Sequence, residues 1–291
     1  MKYREVLELA RIHQYAKNLF VFLPAFFAFR LHEPGVFREA LIAFAIFSLA
    51  ASAIYIFNDW YDQGEDRAHP EKHRRPIAAG RVTQMQAFFC LAGFLLLGLM
   101  LACWSMPDIL PFIVLYLALN IAYTLRFKHS PILDVVFVSC GFVLRLFVGA
   151  QATGVSLSHW IIVMTFLLAL FLSLAKRRDD VLILTETNHQ PRKVVDGYNL
   201  KFLDSAMVMT ASIVILAYIL WSLSPSTTAR LSSNHLFLTA IFVVLGMLRY
   251  MQMTFVENKS GSPTKILWKD LFIQATLAGW AGSFVWIFYI S

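Results

Sequence analysis

Along the 291 residues, apolar side chains come in long, nearly unbroken runs separated by short polar connections. The runs lie near 17–30, 39–57, 86–104, 108–125, 131–150, 158–175, 206–223, 235–252 and 269–289. Each is about the ~20 residues that a helix needs to cross a hydrocarbon core ~30 Å thick. They are continuously apolar rather than alternating every second residue, which favours helices over the strands of a membrane barrel. The pattern predicts an all-α integral membrane protein, a nine-helix bundle in one domain covering 1–291. Residues 1–17 form an interfacial helix ahead of the first span, and Pro24 makes that span the weakest of the nine.

Composition agrees with this class. The chain is 58% hydrophobic and 15% charged, whereas soluble domains are roughly half apolar and a quarter charged. Charged residues continue to Lys17 and no small-residue cleavage site follows, so no removable signal peptide is expected. Cys90, Cys103 and Cys140 fall in apolar runs without the paired spacing of a zinc or redox site, and are read as packing residues.

The 25 Lys and Arg residues are partitioned unevenly. On the side of the N-terminus and the even-numbered connections there are 21, against Arg30, Arg38 and Arg230 on the other, with Arg145 inside the fifth run. The positive-inside rule puts the N-terminus and the large loops in the cytoplasm and the C-terminus outside. A net charge of +7 reflects that rule and a phosphate-rich ligand. Nucleic acid is excluded as a partner, because the cations are divided among short loops at membrane depth.

Candidate chemistry begins where the second run ends, at Asn58-Asp59-Trp60-Tyr61-Asp62-Gln63-Gly64-Glu65-Asp66. At ~100° per residue, Asn58, Asp62, Asp66 and Asp59 fall at about 0°, 40°, 80° and 100°, one stripe of a helix. That much negative charge at a membrane boundary needs cations, and hard oxygen ligands suit Mg2+, which usually bridges carboxylates to a phosphate-bearing substrate. A solvated helix end, its acids paired with Arg67, Lys72 and Arg74, is the plainer reading. Lys72, Arg74, Arg75 and Arg81 follow closely, placed to hold phosphate oxygens. Further along come Tyr123-Thr124-Leu125-Arg126-Phe127-Lys128-His129, with Asp134 opening the fifth run, and Lys176-Arg177-Arg178-Asp179-Asp180 after the sixth. Topological flanks explain the cations there but not the embedded Asp134 and Asp180. Arg145 lies near the outer end of its run, where snorkelling to the interface is the expectation. His13, His32, His159 and His189 are scattered and receive no role.

These residues carry a resemblance. Asn58-Asp59-x-x-Asp62-x-x-x-Asp66 resembles the first aspartate-rich motif of the UbiA prenyltransferase superfamily, whose nine-helix bundle with cytoplasmic active-site loops matches the predicted architecture. The longer string through His69-Pro70, Lys72 and Arg75-Pro76-Ile77-Ala78-Ala79-Gly80 is similar to its decaprenyl-phosphate phosphoribosyltransferase branch. Gln14 with Lys17-Asn18, Lys128-His129 with Leu133-Asp134, and Lys176-Arg177 with Asp180 agree with that branch. Aromatic prenyltransferases of the superfamily usually carry a second Asp-x-x-x-Asp here, and Lys176 replaces its first acid.

The resemblance implies a membrane-embedded, Mg2+-dependent enzyme of the cell membrane that transfers 5-phosphoribose from phosphoribosyl diphosphate (PRPP) to a polyprenyl phosphate, releasing diphosphate. The resemblance also implies a place in cell-envelope biosynthesis. Asn58, Asp59, Asp62, Asp66 and Asp180 are the implied metal set, with Asp59, Asp62 and Asp66 catalytic. Lys72 and Arg75 would take donor phosphates; Lys128, Lys176 and Arg177 the donor 5-phosphate or the acceptor phosphate. Gln14, Lys17 and Asn18 would hold the lipid phosphate, with Tyr123 and Asp134 lining the substrate site. A homo-oligomer is compatible with these residues. The nearest rival is a prenyltransferase with an aromatic or quinone-precursor acceptor, disfavoured by Lys176. A transporter would place charges near the midplane, whereas these gather at the boundary.

Overall fold

A computed structural model describes residues 3–68, 72–187, 193–231, 235–258, 266 and 269–289, and every regular element among them is helical. His69 and Pro70 of the longer string, and His189, lie outside the described residues. Among the described residues, seven helices are long and apolar enough to cross a membrane. They are α3 (Pro34–Tyr61), α5 (Gln84–Ser105), α6 (Leu110–Leu125) with the 3-10 turn before it, α7 (Leu133–Thr153), α8 (His159–Thr187), α9 (Leu200–Leu223) and α11 (Ala240–Phe255) with its preceding 3-10 turn. Short helices α1 (Tyr3–Ala10), α2 (Leu23–Phe27), α4 (Gln63–Ala68) and α10 (Pro225–Leu231) lie between or before them, and α12 (Leu271–Tyr289) carries a shorter apolar stretch.

The first apolar run departs from a single helical span. Arg11 takes a left-handed backbone conformation (φ 52°, ψ 50°) that ends α1, and Ile12–Phe22 continues as a 3-10 helix. Pro24 then sits in the first turn of α2, where its missing N–H costs nothing. Eleven residues at ~2 Å rise give this segment a reach of about 22 Å. Other boundaries move outward: α3 runs to Tyr61 and α8 to Thr187, so Lys176–Asp180 sits on a helix rather than in a loop.

The chain divides into two compact units, residues 1–128 with 140–157, and 129–139 with 158–291, the boundary falling within α7. The first is built around α3, whose most apolar window is 61% buried against 17% for α5. Small residues explain the difference: Ala40, Ala43, Ser48, Ala50, Ala51, Ser52 and Ala53 are buried along α3 and let neighbouring backbones approach. Ile46, Phe47, Ile54, Ile109, Ile113, Tyr116, Leu144 and Val148 fill the spaces. On α5, by contrast, Phe88, Phe89, Leu96, Leu97, Met100 and Trp104 are exposed, as on a lipid-facing helix. Gly149 of α7 is required by contact: a Cβ there would lie 1.9 Å from the Val21 carbonyl oxygen of the 3-10 segment.

The second unit packs α8 against α9, with α11 against α9 and α12, around Phe171, Leu203, Met207, Tyr250 and Met253. Residues 193–198 return onto the turn before α7, where a Cβ on Gly197 would lie 2.1 Å from Pro131 Cγ.

Candidate active site

The first site grows out of the end of α3. Asp62 caps that helix, its N–H bonded to the Asn58 carbonyl at 2.9 Å, and the Asp66 N–H bonds the Asp62 carbonyl at 2.9 Å. The i to i+4 ladder thus continues across the break into α4, and the oxygen-bearing stripe keeps its helical phase. Asp59 and Asp66 are buried, with side chains 2% and 3% exposed, and Asp62 is more open at 24%.

Each acid meets a cation of the same chain. Arg75 Nη1 donates to Asp59 Oδ1 at 3.0 Å and to Asp66 Oδ2 at 2.6 Å. Arg11 also bonds Asp59, its guanidinium lying 5.3 Å from the centroid of the Tyr55 ring. Lys128 bonds Asp62 and lies 5.0 Å from the Tyr61 ring centroid. The Thr124 hydroxyl donates to Asn58 Oδ1. Asn58, Asp59, Asp62, Asp66, Arg75 and Lys128 are therefore brought together as the sequence suggests, and the ion pairs described for Asp59, Asp62 and Asp66 are with Arg11, Arg75 and Lys128. Arg81 is drawn away: it donates to Glu8 at 2.7 Å and to the Arg74 carbonyl at 2.8 Å. Its hydrogen bond holds the Glu8 carboxyl below the usual carboxylate range.

The chemistry of this donor set fits Mg2+. Among the described residues no three His, Cys, Asp or Glu side chains already form a metal-sized cluster. Asp59 Oδ1 and Asp66 Oδ2 do converge on one cationic nitrogen, Arg75 Nη1.

Gln14, Lys17 and Tyr123 are half-buried on the 3-10 segment and on α6. Asn18, expected against lipid phosphate, is 0% exposed, its amide donating to Ser48 Oγ at 3.0 Å and its Oδ1 accepting from Arg145 Nε at 3.0 Å. Arg145 does not snorkel. It is 4% exposed, donates to the Gly141 carbonyl at 2.7 Å, and lies 4.7, 5.4 and 5.1 Å from the ring centroids of Phe47, Tyr116 and Phe142. The interior supplies partners that the sequence did not reveal.

The second unit holds its own constellation. Arg177 donates through Nε to Asp134 Oδ2 and through Nη1 to Asp180 Oδ2 at 2.8 Å. Tyr198 Oη donates to Asp134 Oδ1 at 2.6 Å and accepts the Ile132 N–H at 2.6 Å. Burial, then the hydrogen bond to Asp134, push the Tyr198 phenol above its ordinary pKa. Ile132 is held at φ 70°, a strained conformation for a β-branched residue. Asp134 is 0% exposed and Arg177 3%, so both are occupied inside the protein, while Lys176 is exposed. Arg178 bonds Asp204, the Thr254 carbonyl and Asn258. Arg11, Thr124 and Tyr198 were missed from sequence, because their partners lie 48 to 66 residues away.

A helical membrane scaffold with an acidic cluster at the end of α3 fits a class of membrane-embedded transferase, and the UbiA prenyltransferase family matches residues 20–276. The chain belongs to that family and is a multi-pass membrane protein. Its relatives are more particular. It is 30% identical to a decaprenyl-phosphate phosphoribosyltransferase of Mycolicibacterium smegmatis, over 98% of this chain and 93% of that one. It is 28% identical to a protein of the same description from Corynebacterium glutamicum, over 98% and 87%. A UbiA homolog from Archaeoglobus fulgidus, solved bound to DMAPP and Mg2+, shares the fold with a TM-score of 0.71 at 18% identity, covering 99% of this chain and 100% of that one.

Proposed function

We propose that this protein transfers 5-phosphoribose from PRPP to a polyprenyl phosphate of decaprenyl type, releasing diphosphate, and that it uses Mg2+. The observation that carries the reading is the similarity, over nearly the whole of both chains, to relatives bearing the name decaprenyl-phosphate phosphoribosyltransferase. Lys176 supports it, since a cation where aromatic prenyltransferases have an acid suits anionic oxygens.

In this reading Asn58, Asp59, Asp62 and Asp66 would hold the metal, which would supply positive charge against the leaving diphosphate. Arg75 and Lys72 orient the diphosphate. The C1–O bond breaks with its electron pair going to diphosphate, and a lipid-phosphate oxygen forms the new bond to C1. That oxygen is already anionic and needs positioning rather than a general base. Lys128 contributes to phosphate binding beside Asp62, and Gln14 and Lys17 to the acceptor phosphate, with Tyr123 nearby on α6. Asn18 acts by holding the 3-10 segment, and Asp134 by holding Arg177. We assign Asp180 to the Arg177 ion pair rather than to the metal. Lys176 is the exposed phosphate ligand of the second constellation.

We further read the 3-10 segment with α2, and α12, as completing nine spans, with N-terminus and acidic loops cytoplasmic. The lopsided partition of basic residues supports this, and a cytoplasm-only reporter fused to the C-terminus should be silent. The decisive experiment supplies membranes with radiolabelled PRPP and, separately, a labelled prenyl diphosphate. Label should reach a polyprenyl-phosphate product only from PRPP; transfer from the prenyl diphosphate to an aromatic acceptor would overturn the reading.

A further inference from the structure

Asp59, Asp62 and Asp66 carry three negative charges, and their ion-pair partners Arg11, Arg75 and Lys128 return three positive ones, so this set of ion pairs is neutral by itself. Neutrality at a membrane boundary has a consequence for what enters next. A dication arriving alone would leave the site at +2 and would have to displace a guanidinium from both oxygens that hold it. A diphosphate arriving alone would find Arg75 committed to two carboxylates. Either intermediate places uncompensated charge where the effective dielectric is well below that of water, and where broken ion pairs are costly.

We infer that Arg75 is an exchangeable stand-in for the metal, so that metal and diphosphate enter the site only together. This rests on reading Asp59 and Asp66 as metal ligands. When both arrive, partners are exchanged: the carboxylate oxygens pass from Arg75 Nη1 to the metal, and the released guanidinium turns to the diphosphate. Its planar fork of donors matches phosphate oxygens as well as carboxylates. Its placement suits the exchange. Arg75 follows a short 3-10 turn, Lys72–Arg74, rather than lying in a membrane-spanning helix, and its side chain is 27% exposed while the acids it joins are 2% and 3% exposed. Arg11 remains on Asp59 and Lys128 on Asp62, which limits the charge left when the metal departs. The expected result is an enzyme that does not bind free Mg2+ tightly and does not retain free diphosphate.

The test needs no turnover. Full-length protein in detergent micelles, free of any phosphate, is titrated with Mn2+ and the bound fraction read by electron paramagnetic resonance. Wild type should bind weakly, and Arg75→Gln should bind at least tenfold more tightly because the competing cation is gone. The gain should vanish in Arg75→Gln/Asp66→Asn, which ties the signal to this site. Should Arg75→Gln fail to fold, Lys128→Gln frees Asp62 in the same sense and should also tighten Mn2+. Equal or weaker Mn2+ binding in the folded variants would overturn the exchange while leaving the metal site standing. No Mn2+ bound by any variant would overturn the metal reading and the exchange with it.

Discussion

Replacing Tyr198 by phenylalanine removes one oxygen and leaves the ring, which stacks near Phe202 with centroids 6.1 Å apart. That oxygen serves two partners: it donates to a buried carboxylate, Asp134, and accepts the N–H of Ile132. A hydrogen bond to a charged group contributes about 1.5–3 kcal/mol, whereas Ile132 is 56% exposed and its N–H can turn to water at little cost. Ile132 would be released from its left-handed conformation, which itself costs ~1–2 kcal/mol to hold. The net expectation is about 1–3 kcal/mol of destabilisation, measured by equilibrium unfolding in mixed micelles of rising denaturing-detergent fraction. A pH series separates this from loss of packing. Because the folded pKa of Tyr198 is raised, its stabilisation is fully present below the unfolded value, about 10, and is lost as pH rises above it toward the folded pKa. Wild type should therefore lose stability above pH ~10 more steeply than Tyr198→Phe. A change below ~0.5 kcal/mol together with parallel alkaline profiles would refute the role given to the hydroxyl.

Asp62→Asn and Asp66→Asn should each abolish PRPP transfer while the protein still elutes as a folded species on size exclusion; near-normal turnover at saturating Mg2+ would remove them from the ligand set. Lys176→Ala should raise the PRPP or lipid-phosphate requirement by about 1.5–3 kcal/mol of lost binding, as for a hydrogen bond to a charged group. Lys176→Asp should be worse, and improved use of a prenyl diphosphate by Lys176→Asp would favour the rival prenyltransferase. Gly149→Ala would press a methyl into the Val21 carbonyl and should cost at least the ~1–3 kcal/mol typical of overpacking, read as a lowered unfolding midpoint.

The acidic stripe from Asn58 to Asp66 was legible in sequence because charge is costly at a membrane boundary, so four oxygen-bearing side chains at helical spacing stand out from their surroundings. The helix break at Asp62 did not spoil the reading, since the backbone bonds on either side preserve the phase. What could not be read was the identity of the compensating cations. Arg11 reaches Asp59 only because its backbone turns left-handed between α1 and the 3-10 segment, and Lys128 meets Asp62 across 66 residues. Neither follows from local periodicity. The first run, 17–30, is apolar enough for a span and Pro24 already marks it as the weakest, but a hydropathy average does not reveal that Ile12–Phe22 is a 3-10 helix. Asn18 misled in the opposite direction, as a polar residue beside Lys17 that turns inward to Ser48 and Arg145.

Arg145 and Arg75 show how the chemistry of a partner separates a fixed cation from an exchangeable one. Arg145 is buried in α7 and receives its compensation from an amide oxygen, a backbone carbonyl and three aromatic faces. None of these partners is a carboxylate that a divalent metal would readily take, so nothing in the proposed reaction competes for them. Moving this guanidinium would leave a buried charge unsolvated. Arg75 is balanced by two carboxylates, the strongest ligands in the site for a hard cation, and its side chain is partly exposed. Its partners have an alternative that Arg145's lack, and the diphosphate offers the guanidinium an alternative in return. A cation tied by dipoles and rings therefore fixes the 3-10 segment onto α3 and α7, whereas one tied by acids is placed to move.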